Sequence, residues 1–563
     1  MTWHNSRLIV GFNSHFNIHD LHGYNSPIQK ASTQFDGMEG FLKVIKNFRT
    51  MNAVVVEVVP EKLHKFADDV TKLDSVEYCD YDYLTKINSF DAHIRLDQRQ
   101  FLTGATDVFS LHNLDYDPHA GIGIKIALID TGIDPHPYLP SISFSEALGN
   151  SLGWHETVRV NSTADFLAQV AAIEQHFNQH KKLCDAVSVL IKQEKEDRWN
   201  LWEDEILKWL SGQKRTSRPE LPIHTAIYGA MRVISPESKN ILDDSLNLTD
   251  TVGHGSMMAG LLTARPPAEY IISDFRKLSF IGGLEDSDAN ACDRYFQSLL
   301  DLEIDVRGIA PLAELVVLKC YNKPRSGEID QSNDLVAVIE ALEYCEQIEL
   351  DLILCSICFS KVEDHRKVVS LSNIVNQLTN QGKLIICPAG NGKNGGACGL
   401  DLPASLDDVI CISSVNFDKV NRNIMSLSSF SNYADMDANE SVGFCAFGGD
   451  EDNTVISLSN SFGFSTACGT SVSSAIATAI LARKMSSYYL EAVKNNYNIY
   501  VPFKGPVNHK HVPHLVYPQY SDNQYHSKKV GHVLKSAQNS ANKRFFNCYM
   551  VPDQKYGYGL INP

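Results

Sequence analysis

Gly123-Ile124-Lys125-Ile126-Ala127-Leu128-Ile129-Asp130-Thr131-Gly132-Ile133-Asp134 carries the reading of the chain. A strand with one wet face would alternate apolar and polar residues. This run is apolar almost throughout, so it reads as a strand buried on both faces, as in a parallel sheet covered by helices. Asp130 falls at the C-terminal end of that strand, the edge where open α/β sheets place their sites. Taken alone, Asp130 is equally well read as a turn cap. Similar runs recur at 315–318, 351–355, 383–387 and 409–412, with a helical pattern at 335–345 between the first two. Strands alternating with helices predict an α/β fold with a doubly wound, mainly parallel sheet.

Upstream, 8–12, 53–59 and 75–78 read as strands, 41–45 as the end of a helix and 61–70 as a helix. That pattern predicts a small α+β, ferredoxin-like unit of about 80 residues. Downstream of Asp130, the stretch 141–250 is more polar and helix-rich. Ser162-Thr163-Ala164-Asp165 resembles a capping box and is followed by Phe166, Leu167, Val170, Ile173 and Phe177 at helical spacing. Trp202, Ile206, Trp209 and Leu210 form a second stripe. Aromatic stripes at that spacing are usually core, so this is read as a helical insertion packed on the main body. A surface for docking a protein partner is the second reading.

At 563 residues, 44% hydrophobic and 21% charged, the chain has the composition of a folded protein of two to four domains. A formal charge of -17 argues against nucleic acid or an anionic membrane as partner, since both need basic stripes. No stretch approaches the roughly 20 apolar residues of a membrane span, and Met1-Thr2-Trp3-His4-Asn5-Ser6 does not open as a secretion signal. A cytoplasmic location is the expectation. Of the 13 cysteines, Cys355, Cys387 and Cys411 lie in apolar runs, where buried thiols are the usual reading. Cys355-Ser356-Ile357-Cys358 has CxxC spacing, but no second pair supports a metal.

Two further stretches carry chemistry. In Thr251-Val252-Gly253-His254-Gly255-Ser256 a histidine opens a small-residue helix between glycines. In Cys468-Gly469-Thr470-Ser471-Val472-Ser473-Ser474 a serine stands at a helix start, where unpaired N–H groups and the helix dipole favour negative charge developing beside it. Both are also ordinary helix punctuation. Asp130, His254 and Ser471 follow one another in the order Asp, His, Ser, the known subtilisin order. Through Asp130-Thr131-Gly132, Gly253-His254-Gly255-Ser256, Ala389-Gly390-Asn391 and Gly469-Thr470-Ser471 the chain resembles the subtilisin-like serine proteases. Lesser matches are Gly308-Ile309-Ala310-Pro311 and Tyr558-Gly559-Leu560-Ile561-Asn562.

The resemblance implies a serine endopeptidase. Ser471 would be the nucleophile, His254 its general base and Asp130 the group that orients the imidazole. Asn391 and the Ser471 N–H would hold the oxyanion. Ser356, Ile357, Cys358 and Phe359 would form one wall of the first specificity pocket, and Pro388, Ala389 and Gly390 the other. The family usually has glycines where Cys358 and Phe359 stand, so a narrowed or remoulded pocket and restricted specificity are expected. Residues 1–88 look like the family's inhibitor propeptide, notably through Asn52-Ala53-Val54-Val55-Val56, with self-cleavage near Asn88 and Ser89. Residues 89–563 would then be the catalytic domain, with insertions at about 141–250, 265–305 and 490–525.

The partners implied are a protein or peptide substrate and the chain's own propeptide in the cleft. No cofactor is expected. Calcium is a minor reading: Glu285-Asp286-Ser287-Asp288 is acidic but lacks glycine-centred EF-hand spacing. His509, His511 and His514 read as solvated. The rival reading is a pseudoprotease that keeps the fold for binding.

Overall fold

The computed structural model describes, with short breaks, residues 3–84, 108–133, 235–264, 306–322, 335–359, 368–459 and 464–494. It also describes short pieces at 92–93, 138–139, 158–160, 499–501, 555–556 and 560–561. The helical stripes at 162–177 and 202–210, Asn88 and Ser89, the acidic stretch 285–288, and His509, His511 and His514 lie outside the described residues.

The N-terminal stretch runs β1 (Trp3–Phe12), α1 (Pro27–Ser32), β2 (Phe41–Asn47), β3 (Ala53–Val58), α2 (Leu63–Val70) and β4 (Val76–Tyr83). Its four strands form an antiparallel sheet in the order β2-β3-β1-β4. Residues 41–45, expected to end a helix, belong instead to strand β2. The pairing of β2 with β3 slips between Phe41 and Lys43 and again between Val44 and Lys46. Two irregularities in seven residues erase the period-2 signal by which a strand is recognised. α2 shows the opposite case, burying Leu63, Phe66, Ala67 and Val70 at clean helical spacing.

β3 is apolar without alternation because its sheet is covered on both sides. Val54, Val56 and Val58 pack with Leu63, Phe66 and Val70 of α2, whereas Ala53 and Val55 join a second core shared with the rest of the chain.

Among the described residues the main sheet has eight strands. In chain order they are β5 (Lys125–Asp130), β6 (Lys239–Asn240), β7 (Glu314–Lys319), β8 (Leu352–Cys355), β9 (Leu384–Pro388), β10 (Ile410–Phe417), β11 (Met425–Leu427) and β12 (Phe444–Phe447). The spatial order is β11-β10-β9-β8-β5-β7-β6, with β12 also pairing with β10, and every pairing except β10–β11 is parallel. β6 comes from the end of the stretch expected as an insertion and forms the sheet edge. Of the same expected insertions, Val158–Val160 pairs antiparallel with Ile499–Val501.

Helices α3 (His254–Thr263), α4 (Leu335–Gln347), α5 (Val369–Asn380) and α6 (Thr470–Lys494) cover this sheet. Ile126 and Leu128 of β5 enter the core lined by Met257 and Met258 of α3 and Val472 and Ile476 of α6. Ala127 and Ile129 enter the opposite core, with Leu342 of α4 and Leu371 of α5. Each strand therefore feeds alternate side chains into two apolar layers. The unbroken run of β5 has its physical reason there.

The N-terminal sheet docks on α4 and α5. Glu343 of α4, only 2% exposed, accepts from the N–H groups of Arg49 (2.9 Å), Thr50 (2.8 Å) and Met51 (2.9 Å) and from the Thr50 hydroxyl (2.9 Å). Asp82 of β4 accepts from Val336 N–H at the start of α4 (3.3 Å). Asp80 accepts from the N–H (2.8 Å) and hydroxyl (2.6 Å) of Ser370 at the start of α5, whose own N-cap residue, Val368, makes no side-chain cap. The two carboxylates thus cap, from another part of the chain, helix ends that would otherwise bury unpaired donors.

Burial pushes the Asp80 carboxyl up to about 6, against the pull of the Ser370 hydroxyl and the Ser370 and Val369 N–H groups. The folded state therefore holds a proton on Asp80 that the unfolded chain releases near 4. The resulting stabilisation is complete below about 4 and lost as pH rises through about 6, and it amounts to roughly 2–3 kcal/mol. Asp80→Asn keeps an acceptor for Ser370 without titrating. Its melting temperature relative to the parent chain is expected to rise steadily from pH 4 to pH 7, and a flat difference would contradict this.

Candidate active site

Asp130 closes β5, and the turn after it is pressed against the start of α3. A Cβ on Gly255 would stand 1.9 Å from the carbonyl oxygen of Gly132, so only glycine permits this approach. His254, the first residue of α3, places Nδ1 2.7 Å from Asp130 Oδ1. The same oxygen accepts from Thr131 N–H at 2.7 Å. Both side chains are buried. A carboxylate acceptor puts the imidazole proton on Nδ1, which leaves Nε2 as the basic nitrogen.

Asp250 has no motif to mark it in the sequence, yet it organises this junction. Its Oδ1 accepts from Val252 N–H (3.0 Å), Gly253 N–H (2.8 Å) and the Thr131 hydroxyl (2.8 Å). Its Oδ2 accepts from the N–H and hydroxyl of Ser256, both at 2.8 Å. The Thr131 hydroxyl in turn accepts from Gly255 N–H at 2.8 Å. Lys319, at the end of β7, donates to Thr249 O and so anchors the same turn. One buried carboxylate thereby locks the loop that carries Asp130 to the helix end that carries His254. The one local signal is an aspartate three residues ahead of a glycine-led helix, the position of an Asx turn.

Ser471 is half-buried in the first turn of α6. Asn391, just beyond β9, accepts with Oδ1 from the N–H (3.0 Å) and hydroxyl (2.9 Å) of Thr470. A backbone N–H needs an acceptor, so these bonds fix the amide orientation and turn Nδ2 the other way. Asn391 Nδ2 and Ser471 N lie 3.8 and 3.9 Å from the point where a Cβ on Gly469 would stand. The Asn391 amide and Ser471 N therefore lie together beside Gly469, at the strand edge that also carries Asp130. α3, which begins with His254, packs against α6.

The expected pocket walls are the stretches that leave β8 and β9. Ser356 and Ile357 are buried, and Ser356 N–H donates to Ile129 O (3.2 Å). Cys358 is half-buried, and its thiol donates to Pro388 O (3.5 Å), bridging one stretch to the other. Phe359 is 1% exposed and lies in the core beneath the sheet, paired with Leu402. Ala389 is fully buried and donates to Ile412 O (3.0 Å), and Gly390 has φ +103.

Cys355, Cys387 and Cys411 are buried thiols, and burial pushes those of Cys387 and Cys411 well up. Such thiols are poor nucleophiles. Among the described residues no group of three or more His, Cys, Asp or Glu side chains is placed to hold a metal ion. No described helix is long and apolar enough to cross a membrane.

The parallel sheet, with an Asp–His pair and a serine-bearing helix at its C-terminal edge, defines a class that comparison makes specific. The chain belongs to the subtilase family, whose model matches residues 121–496. A protein named intracellular serine protease from Paenibacillus polymyxa is 30% identical over 119 residues, which is 21% of this chain. The chain spans only about a third of that relative's length, 33%. Two solved structures share the fold. One is fervidolysin from Fervidobacterium pennivorans, with TM-score 0.52 and 12% identity, covering 100% of this chain and 60% of that one. The other is the epidermin leader peptide processing serine protease EpiP from Staphylococcus aureus, with TM-score 0.51 and 13% identity, covering 99% of this chain and 96% of that one.

Proposed function

We propose that this chain is a serine endopeptidase that hydrolyses peptide bonds through an acyl-enzyme. Ser471 is the nucleophile, His254 the general base and Asp130 the group that holds the imidazole. The observation that carries the reading is the 2.7 Å bond from His254 Nδ1 to Asp130, on the sheet edge where the Asn391 amide and Ser471 N lie together beside Gly469. His254 Nε2 takes the serine proton as Oγ attacks the carbonyl carbon, and returns it to the leaving amine. Asn391 and the Ser471 N–H stabilise the oxyanion formed between these steps. Mapping new N-termini in a protein mixture treated with the full chain or with Ser471→Ala tests the reading. Cleavages made by the first and absent from the second are expected, and identical patterns would overturn it.

Asn391→Ala removes one oxyanion donor. A hundredfold to thousandfold fall in kcat is expected, about 2.7–4 kcal/mol, the size known for a member of this same family that loses such a donor. KM should change little, because the donor acts on charge that appears only in the transition state. Unchanged kcat would remove Asn391 from the oxyanion site.

The N-terminal unit is proposed to be an inhibitor propeptide, so that the chain is made as a zymogen and cuts itself near Asn88 and Ser89. Its docking supports this, because the buried carboxylates of Glu343 and Asp80 take their hydrogen bonds across the docked surface, where Asp82 adds one more from Val336 N–H. Intact-mass analysis of the chain against Ser471→Ala should show a serine-dependent cut within several residues of that place. Cys358 in the cleft supports restricted specificity, and the name of the Paenibacillus relative supports action inside the cell.

A further inference from the structure

Residues 401 and 402 join the two stretches that flank the cleft beside Asn391. Asp401 N–H donates to Ala389 O at 3.0 Å, and Leu402 exchanges both backbone bonds with Phe359, at 2.9 and 3.2 Å. This short span ties the two stretches together and, on the serine-endopeptidase reading, floors the pocket between them. The Asp401 side chain lies against Gly390: a Cβ on that glycine would stand 2.2 Å from Oδ2. Its Oδ1 accepts from Asn432 Nδ2 at 3.3 Å, while Asn432 N–H donates to Gly390 O at 3.0 Å. Across the gap, burial first and the Asp401 charge second keep the Cys358 thiol protonated. A carboxylate 8% exposed is thus built into the floor, behind the glycine that precedes the oxyanion-binding asparagine.

We propose that Asp401 makes this peptidase select a basic residue, arginine or lysine, immediately before the scissile bond. The inference rests on the serine-endopeptidase reading and adds the substrate class. With its carbonyl held at Ser471 and Asn391, that residue sends its side chain between the two stretches toward the floor. A carboxylate there attracts a cation and repels an anion, and dry surroundings magnify both effects. An arginine side chain has the length to reach it and a planar fork that matches a carboxylate. Apolar side chains gain nothing at this floor.

The test compares peptide substrates that differ only in carrying arginine or citrulline, its neutral isostere, before the cleaved bond. The full chain is expected to favour arginine by at least about a hundredfold in kcat/KM, and Asp401→Asn to lower that ratio at least about tenfold. A ratio near one in the unaltered chain, or a ratio untouched by Asp401→Asn, overturns the inference. If that variant does not fold, the ratio on the unaltered chain still decides. A fluorophosphonate probe separates the two readings. Labelled Ser471 with an arginine-to-citrulline ratio near one sinks only the specificity. An unlabelled serine with neither peptide cleaved sinks the peptidase reading and this inference with it.

Discussion

Replacing Ser471 with alanine is expected to lower peptide hydrolysis by about a millionfold, the loss known for a subtilase stripped of its nucleophile. The neighbours of Ser471 explain why little else should change. Ser474 hydroxyl donates to the Ser471 carbonyl, a backbone atom, at 2.8 Å, and the Asn391 amide is held by Thr470. Alanine therefore leaves the start of α6 and both proposed oxyanion donors standing. Binding should survive, with a residual rate some thousandfold above uncatalysed hydrolysis. Stability should stay within about 0.5 kcal/mol of the parent, because a half-buried hydroxyl is removed without opening a core cavity. Steady-state kinetics with a melting curve on the same sample checks both halves. A variant that retains more than about a thousandth of the activity would place the nucleophile elsewhere.

Asp130→Ala is expected to cost somewhat above ten-thousandfold in kcat, again the size known for this family. The geometry adds a comparison. Asp130 Oδ1 receives both Thr131 N–H and His254 Nδ1–H. In Asp130→Asn the Thr131 N–H is expected to hold the amide oxygen at that same place, so that the imidazole keeps its tautomer while the charge opposite the imidazolium is lost. The asparagine variant should therefore be faster than the alanine variant and slower than the parent, as kcat values for the three will show. Equal rates for the two variants would mean that Thr131 does not fix the amide.

How much of the fold and site is legible in the sequence depends on the range of the interaction. β5, β7, β8, β9 and α4 are readable because strands buried on both faces, and a helix between them, leave a pattern within a few residues. Residues 41–45 mislead because β2 has the paired slips that destroy such a pattern. The three residues of the proposed triad stand in motifs. Asp250, Glu343 and Asp401 do not, since the meaning of each lies in bonds that cross the chain. Asp250 meets Thr131, Glu343 meets the backbone of 49–51, and Asp401 meets Gly390 and Asn432. Phe359 is expected at the pocket from sequence. Its pairing with Leu402, which draws it into the core, has no local signal either.

The central claim is that His254, oriented by Asp130, activates the hydroxyl of Ser471. Fluorophosphonate reagents react only with a serine so activated, and mass spectrometry of the labelled full chain locates the adduct. Stoichiometric phosphonylation on Ser471, slowed at least about a hundredfold by His254→Ala, is the predicted result. An unmodified Ser471, or an adduct that forms equally fast without the imidazole, would contradict the account.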